Sequence, residues 1–225
     1  MSRCGLAVLA LVVPLVACAG PTQESAAQRL VDRSTLTVED IMSSPNSADV
    51  GQTLHHARAV MICPEVFKAG FIVGGSGGGC VLVGRAAQGS WSDPAFYTIG
   101  SGSLGLQAGI QDASVLMMIM NDKALNAVIN SQFKIGADAS IAIATIGAGI
   151  GGSTTAAMRA DIVTFAQERG LFAGVSLDGA LLSSDYTADQ AYYGTNGDAR
   201  QIVIGMQANN PGANPLRSVL ARYGG

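Results

Sequence analysis

The residues whose types could do chemistry sit mostly among glycines. Gly74-Gly75-Ser76-Gly77-Gly78 has the G-x-S-x-G spacing of a nucleophile elbow. That elbow presents its serine only where a strand turns sharply into a helix, and the run that follows here, Val81-Leu82-Val83, is strand-forming. A serine nucleophile also needs an oriented base. His55 and His56 are the only histidines, and neither has an evident acidic partner. On a helix these neighbours point about 100° apart, so they cannot chelate one ion together. Gly100-Ser101-Gly102-Ser103-Leu104-Gly105 has G-x-G-x-x-G spacing. A dinucleotide fingerprint opens a helix, whereas Leu104, Leu106, Ala108 and Ile110 alternate with period two. No pair of carboxylates has a spacing that suggests acid–base work. The chain reads as non-catalytic, with no metal site and no cofactor.

The cysteines carry a different chemistry. Arg3 precedes an uncharged run from Cys4 to Ala17, which has the layout of a secretory leader and is too short to span a bilayer. The run ends Leu15-Val16-Ala17-Cys18. Small or aliphatic residues directly before a cysteine form a lipobox, in which the thiol is acylated and the chain is cut on its amino side. The alternative is an ordinary leader cut at an Ala-x-Ala-like site, with Cys18 incidental. The lipobox reading makes residues 1–17 a signal peptide and Cys18 a lipidated (palmitate-type) anchor, since more than one acyl chain is what stable anchoring requires. Ala19 and Gly20 follow, without an aspartate, which favours an outer membrane with the protein facing the periplasm. Cys63 and Cys80 then remain in a compartment that permits disulfides. They are either bonded to each other, closing a loop worth about 3 kcal/mol, or two separate buried thiols.

Composition narrows the partners. Of the 225 residues 13% are charged and 29 are glycine, against about 25% charged in an average domain. Such a chain suits tightly turned, largely buried β-structure. The net charge of −3 becomes about −4 once Arg3 is removed with the leader. No cluster of basic residues is present to displace counterions, so nucleic acid is not an expected partner.

Several elements must position these residues. Ala26, Leu30, Val31, Val38, Ile41 and Met42 recur at three- and four-residue steps, predicting helix up to a break at Pro45-Asn46-Ser47 and a second helix from Ser47 to His56. Ala59-Val60-Met61-Ile62 reads as a strand, Pro64 as the start of a helical turn through Lys68, and Phe71-Ile72-Val73 as a strand. Residues Gly74–Gly79 then read as a glycine turn, with Val81-Leu82-Val83 as the hairpin partner. Further strands are expected at Tyr97–Gly102, Leu104–Asp112 and Val115–Met120. Asn121-Asp122 should cap a helix to Asn130. Strands follow at Ser140–Thr145, Ile162–Gln167 and Leu171–Leu182, then helices at Thr187–Tyr193 and Pro215–Tyr223. The uncharged stretch Ala139–Met158 reads as buried strand and turn rather than a membrane span. The expected fold is α+β: N-terminal helices, a central, mainly antiparallel sheet able to curl into a barrel, and C-terminal helices. Residues 18–46 form the lipidated start and first helix, and residues 47–225 form one domain.

Several stretches resemble the SYLF family, a lipid-binding domain shared with yeast endocytic actin-binding proteins. They are Ala57–Pro64, Lys68–Gly75, Gly100–Gly109, Met117–Asp122, Gly136–Ser140, Gly170–Gly179 and Ala191–Gly194. The resemblance implies binding to membrane lipids, of unspecified head group, and no enzymatic activity. Actin is not an expected partner for an exported lipoprotein. The N-terminal segment is weakly basic, with Arg29 and Arg33. Head-group contact is expected at Lys68, at Arg85 and at Gly74, Gly75, Gly77, Gly78 and Gly79, because a glycine turn exposes backbone N–H groups that attract anions. A hairpin turning at those glycines would leave Lys68 and Arg85 together at its far end, making two patches. The alternative is that Lys68 neutralises a carboxylate and the glycines only permit close strand packing.

Overall fold

The computed structural model describes residues 23–70, 73–86, 88–104, 109–130, 132–146, 160–170, 177, 179–195 and 197–225. Cys18, most of the expected strand from Leu171, and the latter part of Ala139–Met158 lie outside the described residues.

The chain opens with α1 (Gln23–Met42), which buries Ala27, Val31, Ser34, Val38 and Ile41 on one stripe. The Ser34 hydroxyl satisfies itself by donating to the Leu30 carbonyl at 2.8 Å. α2 (Ser47–His56) buries Val50 and Leu54. Four long strands follow, β1 (Ala59–Gly70), β2 (Val73–Gly84), β3 (Ala95–Leu104) and β4 (Gly109–Ile119). α3 (Asp122–Asn130) starts where the Asn121 side chain accepts the Ala124 N–H at 2.8 Å, as an N-cap should. β5 (Phe133–Lys134), β6 (Ile141–Thr145), β7 (Ile162–Gly170) and β8 (Leu181–Ser184) complete the sheet. α4 (Tyr186–Tyr193) runs from an Asp185 cap to left-handed Gly194. α5 (Ala199–Val203) and α6 (Asn214–Gly224) close the chain.

The strands lie in the order β5-β8-β3-β2-β1-β4-β7-β6. Every pairing is antiparallel except β6 with β7. Ile135, just past one edge strand, bridges Ala139, just before the other. The eight-stranded sheet is therefore curled into a half-barrel, and the fold is α+β with helices at both ends of the chain. Both faces are buried over the body of the sheet. Val60, Ile62, Val81, Val83, Phe96, Leu116 and Met118 pack under α1, α2, α4 and α6, here called the helical face. Ala59, Met61, Cys63, Leu82, Tyr97, Val115 and Met117 pack with α3 and α5 on the opposite, α3 face. Double burial explains why these strands read as nearly continuous apolar runs.

Three local expectations fail. Pro64 opens no helical turn; it lies in a bulge of the unbroken β1, where the register slips between Ile62 and Phe67 against β2 and between Cys63 and Val66 against β4. A strand tolerates proline there because no ladder N–H is demanded of it. The Pro64 carbonyl instead accepts the Ser114 hydroxyl at 2.8 Å. The run Gly74–Gly79 is no turn either. It belongs to β2, and its residues pair in sequence with Ser103 back to Thr98 on β3. Glycine runs suggest turns because glycine enters positive φ, yet the positive-φ glycines among the described residues are Gly89, Gly136, Gly179, Gly194 and Gly225. Finally, the expected strands Leu104–Asp112 and Val115–Met120 divide differently: Leu104 ends β3, residues 105–108 lie outside the described residues, and Gly109–Ile119 forms the single strand β4.

Cys63 and Cys80 lie at the bulge on neighbouring strands, both fully buried. They are joined by a disulfide, with S–S 1.98 Å and Cα atoms 4.2 Å apart. Among the described residues no helix is long and apolar enough to cross a membrane.

Candidate functional site

Past the bulge, β1 to β3 run on as a glycine-rich extension of the sheet. One residue row crosses the helical face from Phe67 through Gly77 and Gly100 to Leu181. The next row on that face is Ala69, Gly75 and Gly102. On the opposite face the alternate row is Lys68, Ser76 and Ser101.

The glycines of this region serve two different ends. A Cβ on Gly78 would collide with the Glu65 carbonyl in the bulge, and one on Gly79 would come within 3.0 Å of the Leu30 side chain on α1. These two are glycine because other groups approach them closely. A Cβ on Gly75 or Gly77 would meet only a carbonyl of the neighbouring strand, at 3.5 and 3.6 Å. On Gly100 it would stand 3.9 Å from the Ser76 carbonyl, and on Gly102 it would meet nothing within 4 Å. Among the described residues, Gly75, Gly77, Gly100 and Gly102 therefore leave a strip of the helical face bare.

Phe67 and Leu181 flank that strip, 45% and 43% exposed. Leu30 closes its inner end over Gly79, and beside it Arg33 of α1 pairs with Glu65 at 2.7 Å. A shallow cavity of about 350 Å³ adjoins the strip on the β8 side, lined by Thr98, Gly100, Gly102, Gly179, Leu181 and Ser183.

The predicted head-group residues do not form one site. Lys68 lies level with Ser76 inside the glycine run, not at the far end of a hairpin from it. Arg85 lies beyond the other end of β2, about 30 Å from Ser76 along the strand. Its guanidinium stacks 4.5 Å over Trp91 and donates to the Leu54 and Gly224 carbonyls at 3.0 and 2.9 Å. Arg85 thus ties the ends of α2 and α6 together, and burial lowers its pKa. Nor are the glycine N–H groups a free anion nest, since Gly74, Gly75 and Gly77 are paired with strands on both sides. Phe67, Leu181, Gly100 and Gly102 were not among the residues expected at the site. Val66 packs on the α3 face, so alternation past the bulge turns Phe67 onto the helical face, and the bulge itself leaves no mark in the sequence.

The residues screened for catalysis stay apart. The Ser76 hydroxyl shares a 2.7 Å hydrogen bond with that of Ser101. His55 Nδ1 donates to the Gly224 carbonyl at 2.9 Å, and His56 Nδ1 to the Gln52 carbonyl at 2.8 Å. No group of three or more metal-ligating side chains occurs among the described residues. Asp189 on α4 is fully buried and accepts the Phe96 N–H at 2.9 Å. Burial pushes its pKa up to about 7. It joins α4 to β3 and does not line the bare strip.

Residues 100–223 match the family described as "Ysc84: Las17-binding protein actin regulator". The human SH3 domain-containing YSC84-like protein 1 is 29% identical over 160 residues, 71% of this chain and 47% of the human protein. An SH3 domain-containing protein of Schizosaccharomyces pombe is 31% identical over 171 residues, 74% of this chain and 39% of its own length. LAS seventeen-binding protein 3 of Saccharomyces cerevisiae is 29% identical over 172 residues, covering 74% and 37%. The chain spans less than half the length of each of these relatives. With more than half of its residues matched, the chain belongs to the Ysc84 family, that of the SYLF domain.

Proposed function

We propose that this protein is a non-catalytic, lipid-binding lipoprotein of the bacterial envelope, anchored through Cys18 and facing the periplasm from the outer membrane. Its ligands are membrane lipids; nucleic acid and actin are not among its partners. The observation that carries this reading is the bare strip of the helical face, walled by Phe67 and Leu181. Exposed apolar side chains around a surface without side chains of its own suit a hydrocarbon partner. The leader and lipobox support it from the sequence, since they would hold the domain at a membrane. The test is co-sedimentation of the purified protein, carrying Cys18→Ser and lacking the leader, with phosphatidylglycerol vesicles. More protein in the pellet than in a vesicle-free control is expected; no binding at any lipid concentration would leave the reading without support.

A second reading is a tethered interaction protein that binds another protein and no lipid. The name of the yeast relative, a LAS seventeen-binding protein, favours it. Retention of lipid by the protein lacking its own acyl chains separates the two.

A further inference from the structure

The bare strip lacks a structural reason for its glycines. In a strand interior each glycine is unfavourable by roughly 0.5–1 kcal/mol relative to alanine, and here Gly75, Gly77, Gly100 and Gly102 all have room for a Cβ. Strand glycines without such a reason mark places where a ligand or another backbone comes close. From Phe67 to Leu181 the row spans three strand spacings, about 14 Å, so the floor is two bare strands wide. The walls are apolar, and no charged side chain stands in the row between them. Lys68 belongs to the opposite face, and Asp112 lies beyond Phe67 on β4. The adjoining cavity is within the size range of small-molecule clefts.

Among the described residues, charge enters the strip at the end under α1. Arg33 and Glu65, with side chains 62% and 53% exposed, meet beside Leu30 where the strip runs under α1. An exposed ion pair of this kind contributes little to stability, so its guanidinium can be shared with an incoming anion. Arg29, one turn earlier on α1, is also exposed. We propose that the strip seats one hydrocarbon chain of an anionic membrane lipid, laid along the strands between Phe67 and Leu181 with its head group at Arg33. This rests on the proposed lipid binding and names the site and ligand class for it.

The experiment is native mass spectrometry of the full protein, extracted in lipid-free detergent and titrated with phosphatidylglycerol. In Gly77→Val/Gly100→Val the added Cβ atoms meet only strand carbonyls, and the methyl groups lie beside each other and beside Phe67 and Leu181, so Tm should hold or rise while lipid occupancy falls about tenfold or more, roughly 1.4 kcal/mol per tenfold. Arg33→Gln should weaken phosphatidylglycerol but leave diacylglycerol uptake unchanged. If the wild type takes up no phosphatidylglycerol, lipid binding itself fails. If the wild type binds and the double valine variant binds equally, only the strip is overturned. Loss of a dimer in the valine variant would assign the strip to a second copy. A gain of occupancy in Cys18→Ser would assign it to the protein's own acyl chain. Either result would overturn the proposal.

Discussion

At the scale of single residues, the buried polar groups hold elements together. Asp189 is the clearest case, because its carboxyl is buried and its pKa rises from 3.8 to about 7. An acid whose folded pKa is raised binds more protons folded than unfolded. Its contribution to stability is therefore complete below about pH 4 and is lost as pH rises through about 7. A tenfold difference in proton affinity between the folded and unfolded chain is worth about 1.4 kcal/mol, so the loss should amount to several kcal/mol. Asp189→Asn keeps an oxygen for the Phe96 N–H and removes the titration. Its Tm should change less between pH 4 and 8 than that of the wild type; parallel profiles would show that Asp189 ionises freely. Arg85 makes a different prediction. Arg85→Ala removes two hydrogen bonds to helix-end carbonyls and a cation–π contact, and should lower stability by about 2–3 kcal/mol. Urea titration measures that, and vesicle binding by the folded fraction should be unchanged.

At the scale of elements, β2 carries the contrast that matters. Its glycines look alike in sequence but occupy opposite steric situations. Gly78→Ala sets a methyl group against the backbone of the β1 bulge, which cannot yield like a side chain. It should cost about 3 kcal/mol or more, in the range of severe backbone effects. Gly102→Ala on β3 meets open space and should be neutral or slightly stabilising. Equal losses in both variants would mean that some segment covers the strip in solution. The disulfide between β1 and β2 belongs to the same scale. Protein lacking Cys18 and isolated without reductant, with the leader removed, should show no titratable thiol after denaturation. Its reduction should lower stability by about 3 kcal/mol.

At the scale of the whole molecule, the proposed anchor at Cys18 and the strip would act together. α1 would link them: it begins at Gln23, five residues after Cys18, and lays Leu30 and Arg33 at the inner end of the strip. Metabolic labelling with a palmitate analogue should mark the wild type and spare Cys18→Ser. Equal labelling of both would mean that Cys18 is not the anchor and would leave the proposed lipid affinity of the domain to stand alone.

What the sequence determined by itself was local and periodic. The apolar steps of α1, the Asn121 cap and the end helices were legible because a helix records its buried stripe within a few residues. The α+β class followed from the same patterns, and the lipobox expectation rests on a handful of adjacent residues. Tertiary structure alone decided the rest. Pro64 could be recognised as a bulge residue only once β1 had partners on both sides whose registers slip around it. Gly74–Gly79 became strand because β3 pairs with the whole run, a contact between distant residues that outweighs glycine's preference for turns. Lys68 and Arg85 were separated by that correction. Phe67, Gly77, Gly100 and Leu181 come from four strands, so no window of sequence contains them. Only the sheet's register places them in one row.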